Sequence, residues 1–298
     1  MNIAILKVPM WYGCDQLGVE EAPNKLFCAG IRKIFEEDGH HITVVKTIDV
    51  PKIDVQDKYQ KDSSMKYLTP IISVNNELAT SISTVIRNRA IPITIGGDHS
   101  IGLGSVAGSA ACYDNFCVVW LDAHGDMNTN QTSPTGNIHG MPLATLMGRG
   151  DKRLQSVNHS SQSVIPENVI LLGARSLDIG ELKLIATSHI KHISSAMIRS
   201  NGIHKTIDEV VGYFAEHCVK NIHLSIDVDV LDPEFAPGTG VKEKEGLNVD
   251  EVLGLIKGLL ATQKVKALDV VEYNYRLDKE DITLCNTLKI IQCISKNL

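Results

Sequence analysis

The 298-residue chain has little of what nucleic-acid or membrane proteins carry. Its 29 Lys and Arg stand against 35 Asp and Glu, a net charge of −6, and no basic cluster stands out, so no phosphate-backbone footprint is written into it. No apolar run approaches the length of a bilayer span. The opening stretch MNIAILKVPM carries neither a basic leader nor a small-residue cleavage site and is expected to form a first strand. No CxxC pair exists among the seven cysteines (14, 28, 112, 117, 218, 285 and 293), which are scattered and odd in number. That points to reduced thiols in a cytoplasmic protein.

What is present is an ordinary globular composition, 43% hydrophobic and 21% charged, long enough for a large core. Apolar, β-rich runs fall at 3–8, 41–47, 91–96, 116–121, 168–173, 188–193, 222–226 and 264–271. Helical patterns lie between them, chiefly at 23–37, 72–89, 206–219, 249–262 and 281–295. Continuous Val, Ile and Leu runs suit strands covered on both faces, and strand–helix alternation implies right-handed crossovers. The expectation is an α/β fold with a mostly parallel sheet between helix layers. No linker, composition shift or repeat divides the chain, so residues 1–298 are expected to form one domain.

In such a fold, ligands bind beyond the carboxyl ends of the strands. There the chain places GGDHS (96–100), DAHGD (122–126), GARSLD (173–178), DVDVLDPEFAPGTG (227–240) and EYN (272–274). His99, Asp122, His124, Asp126, Asp227 and Asp229 would then converge on one rim. An Asp after a strand is often only a turn former or helix cap, and a single His there carries little meaning. Capping, however, needs neither His124 between two Asp nor a second Asp-x-Asp at 227–229. Four carboxylates side by side would repel one another and raise their own pKa values unless a cation joins them. Mixed carboxylate and imidazole donors without thiolate favour a hard-to-borderline metal such as Mn²⁺. Six donors are too many for one open ion and suit two ions with shared aspartates.

In this order and spacing, GGDHS, DAHGDMNT…TGNIHG, SIDVDVLDP and LDVVEYN resemble the arginase/agmatinase (ureohydrolase) family, and GVEEAP (18–23) resembles its N-terminal motif. The resemblance spans essentially the whole chain. It implies a three-layer α/β/α fold with an eight-stranded sheet, shared with the related one-zinc deacetylases. It also implies a two-Mn²⁺ centre that hydrolyses guanidinium compounds. One ion would be held by His99, Asp122, Asp126 and Asp227, the other by Asp122, His124, Asp227 and Asp229, with Asp122 and Asp227 bridging. Catalytic roles fall to His139 as proton shuttle, Glu272 as partner of the substrate guanidinium, and Asp126.

The resemblance further implies that Asn128, Thr135 and Asn137 contact an α-carboxylate and that Asp178, with Glu181 beside it, contacts an α-amino group. L-Arginine hydrolysed to L-ornithine and urea is therefore the expected reaction. Agmatinase, guanidinobutyrase and formiminoglutamase activities are the alternatives, as is a family member that keeps the metal for a binding or regulatory role. The partner expected is a small guanidinium compound, with no nucleic acid and no membrane, in a homo-oligomer, trimeric or hexameric as is common in the family. The chain departs from the family pattern at VKEKEG (241–246), where a Thr-Pro-x-x-Gly-Gly run is usual and Val241 replaces the Thr.

Overall fold

The computed structural model describes residues 1–157 and 164–298. Eight strands form one sheet: β1 (Asn2–Val8), β2 (His41–Thr47), β3 (Ile91–Gly96), β4 (Phe116–Leu121), β5 (Val169–Gly173), β6 (Lys191–Ser194), β7 (Asn221–Asp227) and β8 (Val265–Val271). Their order is β2-β1-β3-β8-β7-β4-β5-β6, and every pairing is parallel. The α/β/α architecture expected from the sequence is present, and the sheet is parallel throughout.

Alternation along the strands builds the two outer layers. In β4, Cys117, Val119 and Leu121 face one core, while Phe116, Val118 and Trp120 face the other. The first core is closed by α1 (Ala22–Cys28), α2 (Ile31–Glu37), α8 (Ser195–Asn201), α9 (Ile203–Glu216), α10 (Val249–Ala261) and α11 (Ile282–Asn297). The second is closed by α3 (Leu68–Arg87), α4 (Gly102–Ala110), α5 (Pro142–Leu146), α6 (Lys152–Gln155) and α7 (Ile179–Thr187). Each large aliphatic side chain buried in these layers contributes about 1.5–3 kcal/mol.

Some local expectations shift. The pattern at 23–37 is two helices, interrupted at Ala29 and Gly30. The strand expected at 188–193 begins only at Lys191, because α7 runs to Thr187 and His189 takes φ +56°. β2 is an edge strand with Val44 and Val45 exposed, so its apolar run is not covered on both faces.

The strand order positions the site. β3 and β4 follow each other in sequence but are separated in the sheet by β8 and β7, the kind of reversal where α/β folds open a crevice. Leu121 pairs with Ile226, Ile226 with Val270 and Ile95 with Val270, so these strand ends lie level. Asp122, Asp227 and Glu272 therefore leave the sheet side by side.

Candidate metal centre and cleft

Residue His99 is fixed from four sides. The preceding Asp98 caps the turn by accepting the N–H groups of Ser100 and Gly13, each at 2.9 Å. Gly97 admits the Met10 carbonyl so closely that a Cβ would sit 1.8 Å from its oxygen. The His99 ring stacks on Trp120 with centroids 4.0 Å apart, and its backbone N–H donates to Glu272 Oε1 at 2.8 Å. Its Nε2 lies 2.9 Å from Ser225 Oγ, and Ser225 leads on to Asp269 at 3.3 Å. Asp269 also meets His223 Nε2 at 2.8 Å and Ser105 Oγ, so this buried acid serves a network behind the site.

With Nε2 engaged, Nδ1 of His99 is turned toward three carboxylates: Asp122 Oδ2 at 2.9 Å, Asp126 Oδ2 at 3.1 Å and Asp227 Oδ2 at 3.2 Å. Yet this buried nitrogen has no hydrogen-bond partner in acceptable geometry. Several acceptors at close range without a bond to any of them is the arrangement of ligands around a common cation. His99, Asp122 and Asp227 place ligand atoms within 4.8 Å of one another, and so do Asp122, His124 and Asp229. Asp122 belongs to both groups.

The second group is held as firmly. Asp229 Oδ1 accepts the N–H of Ala123 at 3.1 Å, and Asp122 Oδ1 accepts that of His124 at 2.7 Å. Nδ1 of His124 lies 3.0 Å from Asp229 Oδ2. Trp120 Nε1 donates to Asp122 Oδ2 at 3.0 Å, and the N–H of Asp229 donates to Asp227 Oδ1 at 2.8 Å. Asp126 adopts φ +49° to reach the first group, a left-handed conformation costing on the order of 1 kcal/mol.

The charges of these groups do not balance themselves. Burial, reinforced by the Asp122 carboxylate, pushes Asp126 up to about 7. Burial and the carboxylates of Asp229 and Asp122 hold Asp227 well above the usual range. Burial works against ionisation of Asp122 too, but the adjacent imidazoles of His124 and His99 outweigh it and keep it low. A divalent cation would replace the protons this cluster otherwise retains. The donor set fits one, and His99, Asp122, His124, Asp126, Asp227 and Asp229 are the residues that could hold it.

Beside this cluster opens a cavity of about 130 Å³, lined on its other side by Asn128, His139, Ser176, Asp178, Val241 and Glu272. His139 Nδ1 lies 3.0 Å from Glu272 Oε1. Burial opposes protonation of His139, but the Glu272 carboxylate prevails and holds it up at about 9. Burial likewise opposes ionisation of Glu272, and His139 overcomes it to hold the carboxyl below its ordinary range. Glu272 reaches inward from φ +65°.

Asn128 donates to Asp178 Oδ2 at 2.8 Å and accepts from Thr132 at 2.9 Å. Glu181 also borders the cavity, but its carboxylate is bound by the N–H groups of Met127 and Asp178, at 2.9 and 2.8 Å. The latter bond closes a capping box on α7. Thr135 and Asn137 are not among the cavity-lining residues. Thr135 is exposed and accepts from the N–H of Asn137 at 3.2 Å. Asn137 accepts from Lys66 Nζ at 2.8 Å and donates to the Cys14 carbonyl at 3.0 Å.

Two contributors escaped the sequence reading. Ser176 lines the cavity within GARSLD, with no motif to mark it. Arg175, one residue earlier, binds the carbonyls of Asp229, Val230, Leu231, Glu243 and Lys244 at 2.8–3.2 Å, clamping the metal loop to the 241–246 loop. Its partners are backbone atoms, which leave no trace in side-chain patterns.

The same whole-chain pattern appears in known proteins. The family model "Arginase family" matches residues 1–295. This chain belongs to the arginase family. It is 35% identical to the arginase of Staphylococcus aureus (strain MRSA252), covering 97% of this chain and 95% of that one. The crystal structure of arginase from Bacillus caldovelox superimposes with a TM-score of 0.93 at 34% identity, covering 99% of this chain and 97% of that one. The Entamoeba histolytica arginase, solved in complex with L-ornithine, gives 0.89 at 36% identity, again over 99% and 97%. The protein is thus a metal-dependent amidinohydrolase acting on a small molecule. No helix among the described residues is long and apolar enough to cross a membrane.

Proposed function

We propose that this arginase-family chain hydrolyses L-arginine to L-ornithine and urea with two Mn²⁺ ions, which His99, Asp122, His124, Asp126, Asp227 and Asp229 would hold, Asp122 and Asp227 serving both. The observation that carries the reading is the facing of two ligand groups sharing Asp122 by the His139–Glu272 pair across one cavity. Resemblance to an arginase solved with L-ornithine supports the product side. When bound, the divalent ions supply Lewis acidity and bring the pKa of a water toward neutrality.

The chain's own residues do the rest. Glu272 receives the planar guanidinium, since an ionised carboxylate oxygen is a strong acceptor for its N–H donors. Its Oε1 is already occupied by His139 and the His99 N–H, which leaves Oε2 for the substrate. As water adds to the guanidinium carbon, the bond to the chain nitrogen breaks and that nitrogen needs a proton. His139, with Nδ1 tied to Glu272, carries this proton on Nε2. Asp126 holds the His99 side of the centre and orients the attacking water. Asn128 and Asp178, which face the cavity, recognise the α-carboxylate and α-amino group, with Thr135 and Asn137 contributing from the loop that follows Asn128 and Glu181 from α7. The chain works as one domain in a cytoplasmic homo-oligomer, a trimer or hexamer.

The test is product release by metal-depleted protein restored with Mn²⁺. Arginine, agmatine and guanidinobutyrate are followed by urea, formiminoglutamate by formamide. Arginine is expected to give the highest kcat/KM, and chelation to abolish it. A higher value for any other substrate would displace the arginine assignment.

A further inference from the structure

The two candidate imidazole ligands are not supported alike. His99 has its second nitrogen satisfied from inside the fold, on Ser225 Oγ at 2.9 Å. His124 directs Nδ1 at the ligand carboxylates, while its Nε2 is buried and has no hydrogen-bond partner. The charged group facing Nε2 is Glu243, whose Oε1 lies 3.9 Å away. A metal-binding His ordinarily donates its other N–H to a carboxylate, carbonyl or water, which fixes the ring and raises its basicity.

Glu243 sits in the VKEKEG loop, where this chain departs from the family pattern, and that loop is stapled in place. Arg175 binds the Glu243 carbonyl at 2.8 Å and the Lys244 carbonyl at 3.0 Å. Arg199 binds the carbonyls of Glu245 and Gly246 at 3.0 and 2.9 Å, and Ser195 Oγ donates to that of Glu245 at 2.9 Å. Gly246 donates to Asp232 at 3.0 Å, in a contact so close that a Cβ would fall 2.3 Å from the Asp232 nitrogen. The backbone is thus held from Glu243 to Gly246, which keeps the Glu243 side chain beside His124. A gap of 3.9 Å lies just beyond direct hydrogen-bond range.

We propose that Glu243 is a positioning residue: its carboxylate accepts the Nε2–H of His124 and so orients that imidazole toward the ion it shares with Asp122 and Asp229. This rests on the dinuclear reading of the site. The loop thereby substitutes a carboxylate anchored from outside for the internal Ser225 anchor that His99 enjoys.

Calorimetric titration of metal-depleted protein with Mn²⁺ alone tests it, because the readout is ion affinity and not turnover. Wild type is expected to bind two ions. Glu243→Ala is expected to weaken one of them by about 10- to 100-fold and leave the other unchanged. Glu243→Gln, which keeps an acceptor oxygen, should recover part of the loss, and Lys242→Ala, a neighbouring loop change, should bind as wild type. Equal affinities in Glu243→Ala and wild type would overturn the role of Glu243 while leaving the metal centre intact. Loss of both ions in Glu243→Ala, or a matching loss in Lys242→Ala, would also overturn it, by showing a general loop effect. A wild type that binds no second ion would overturn the dinuclear reading and this inference with it.

Discussion

Nδ1 of His139 lies 3.0 Å from Oε1 of Glu272, and the two side chains fix each other's charge at the inner wall of the cavity. Neither belongs to the two ligand groups, so the pair can be perturbed without dismantling the metal site. His139→Asn is expected to lower kcat by about a hundred- to ten-thousand-fold, the usual worth of a general acid. Metal content, read by elemental analysis, should stay at the wild-type level. Loss of metal in the variant would make His139 a ligand.

The raised pKa values carry a linkage consequence for the metal-free protein. Asp126 is held at about 7 and His139 at about 9, both above their unfolded values. Each group therefore contributes stability that is complete below its unfolded pKa and lost as pH rises through its folded one. Metal-free protein should lose stability as pH climbs through about 7, as Asp126 ionises beside Asp122. Added Mn²⁺ neutralises that repulsion, so the rise in Tm it produces should be larger at about pH 8 than at about pH 5. Thermal unfolding with and without Mn²⁺ at the two pH values measures it. An equal or reversed shift would mean the carboxylates do not gather around the ion.

Discrimination between arginine and agmatine should centre on Asp178, which faces the cavity and is bonded to Asn128. Asp178→Asn preserves size and capping capacity but removes the charge offered to an α-ammonium. Losing a hydrogen bond to a charged group costs about 1.5–3 kcal/mol, so kcat/KM for arginine should fall by about 10- to 100-fold. Any agmatine activity should change little. Parallel losses on both substrates would place Asp178 in the scaffold only.

The candidate ligand cluster was legible because metal chemistry imposes unusual residue types at short spacing. Asp122, His124 and Asp126 follow an apolar strand that needs none of them, and Asp227 and Asp229 repeat the device. The fold was legible from its apolar runs, except where local geometry overrides pattern. Helix α4 reads GLGSVAGSA, too rich in Gly and Ser to announce a helix, because it must lie close to α3: a Cβ on Gly104 would meet the Asn75 carbonyl at 2.4 Å. Arg175 was opaque for a different reason, since it acts on carbonyl oxygens that every residue possesses.

That clamp is itself testable. Arg175→Met keeps the side-chain length but strips the guanidinium from five carbonyls. Leaving several of them poorly satisfied should cost about 1–3 kcal/mol in unfolding free energy, measured by urea denaturation of the metal-loaded protein. Unchanged stability would show that the loops hold without it.

The proposed hydrolysis of arginine by two ions is tested most directly by titrating metal-depleted protein with Mn²⁺ while following bound ions and urea release from arginine in the same samples. Two ligand groups that share Asp122 require activity to rise with occupancy and to reach its maximum only at about two ions per chain. Full activity at one ion per chain, or two bound ions with no urea from arginine, would contradict it.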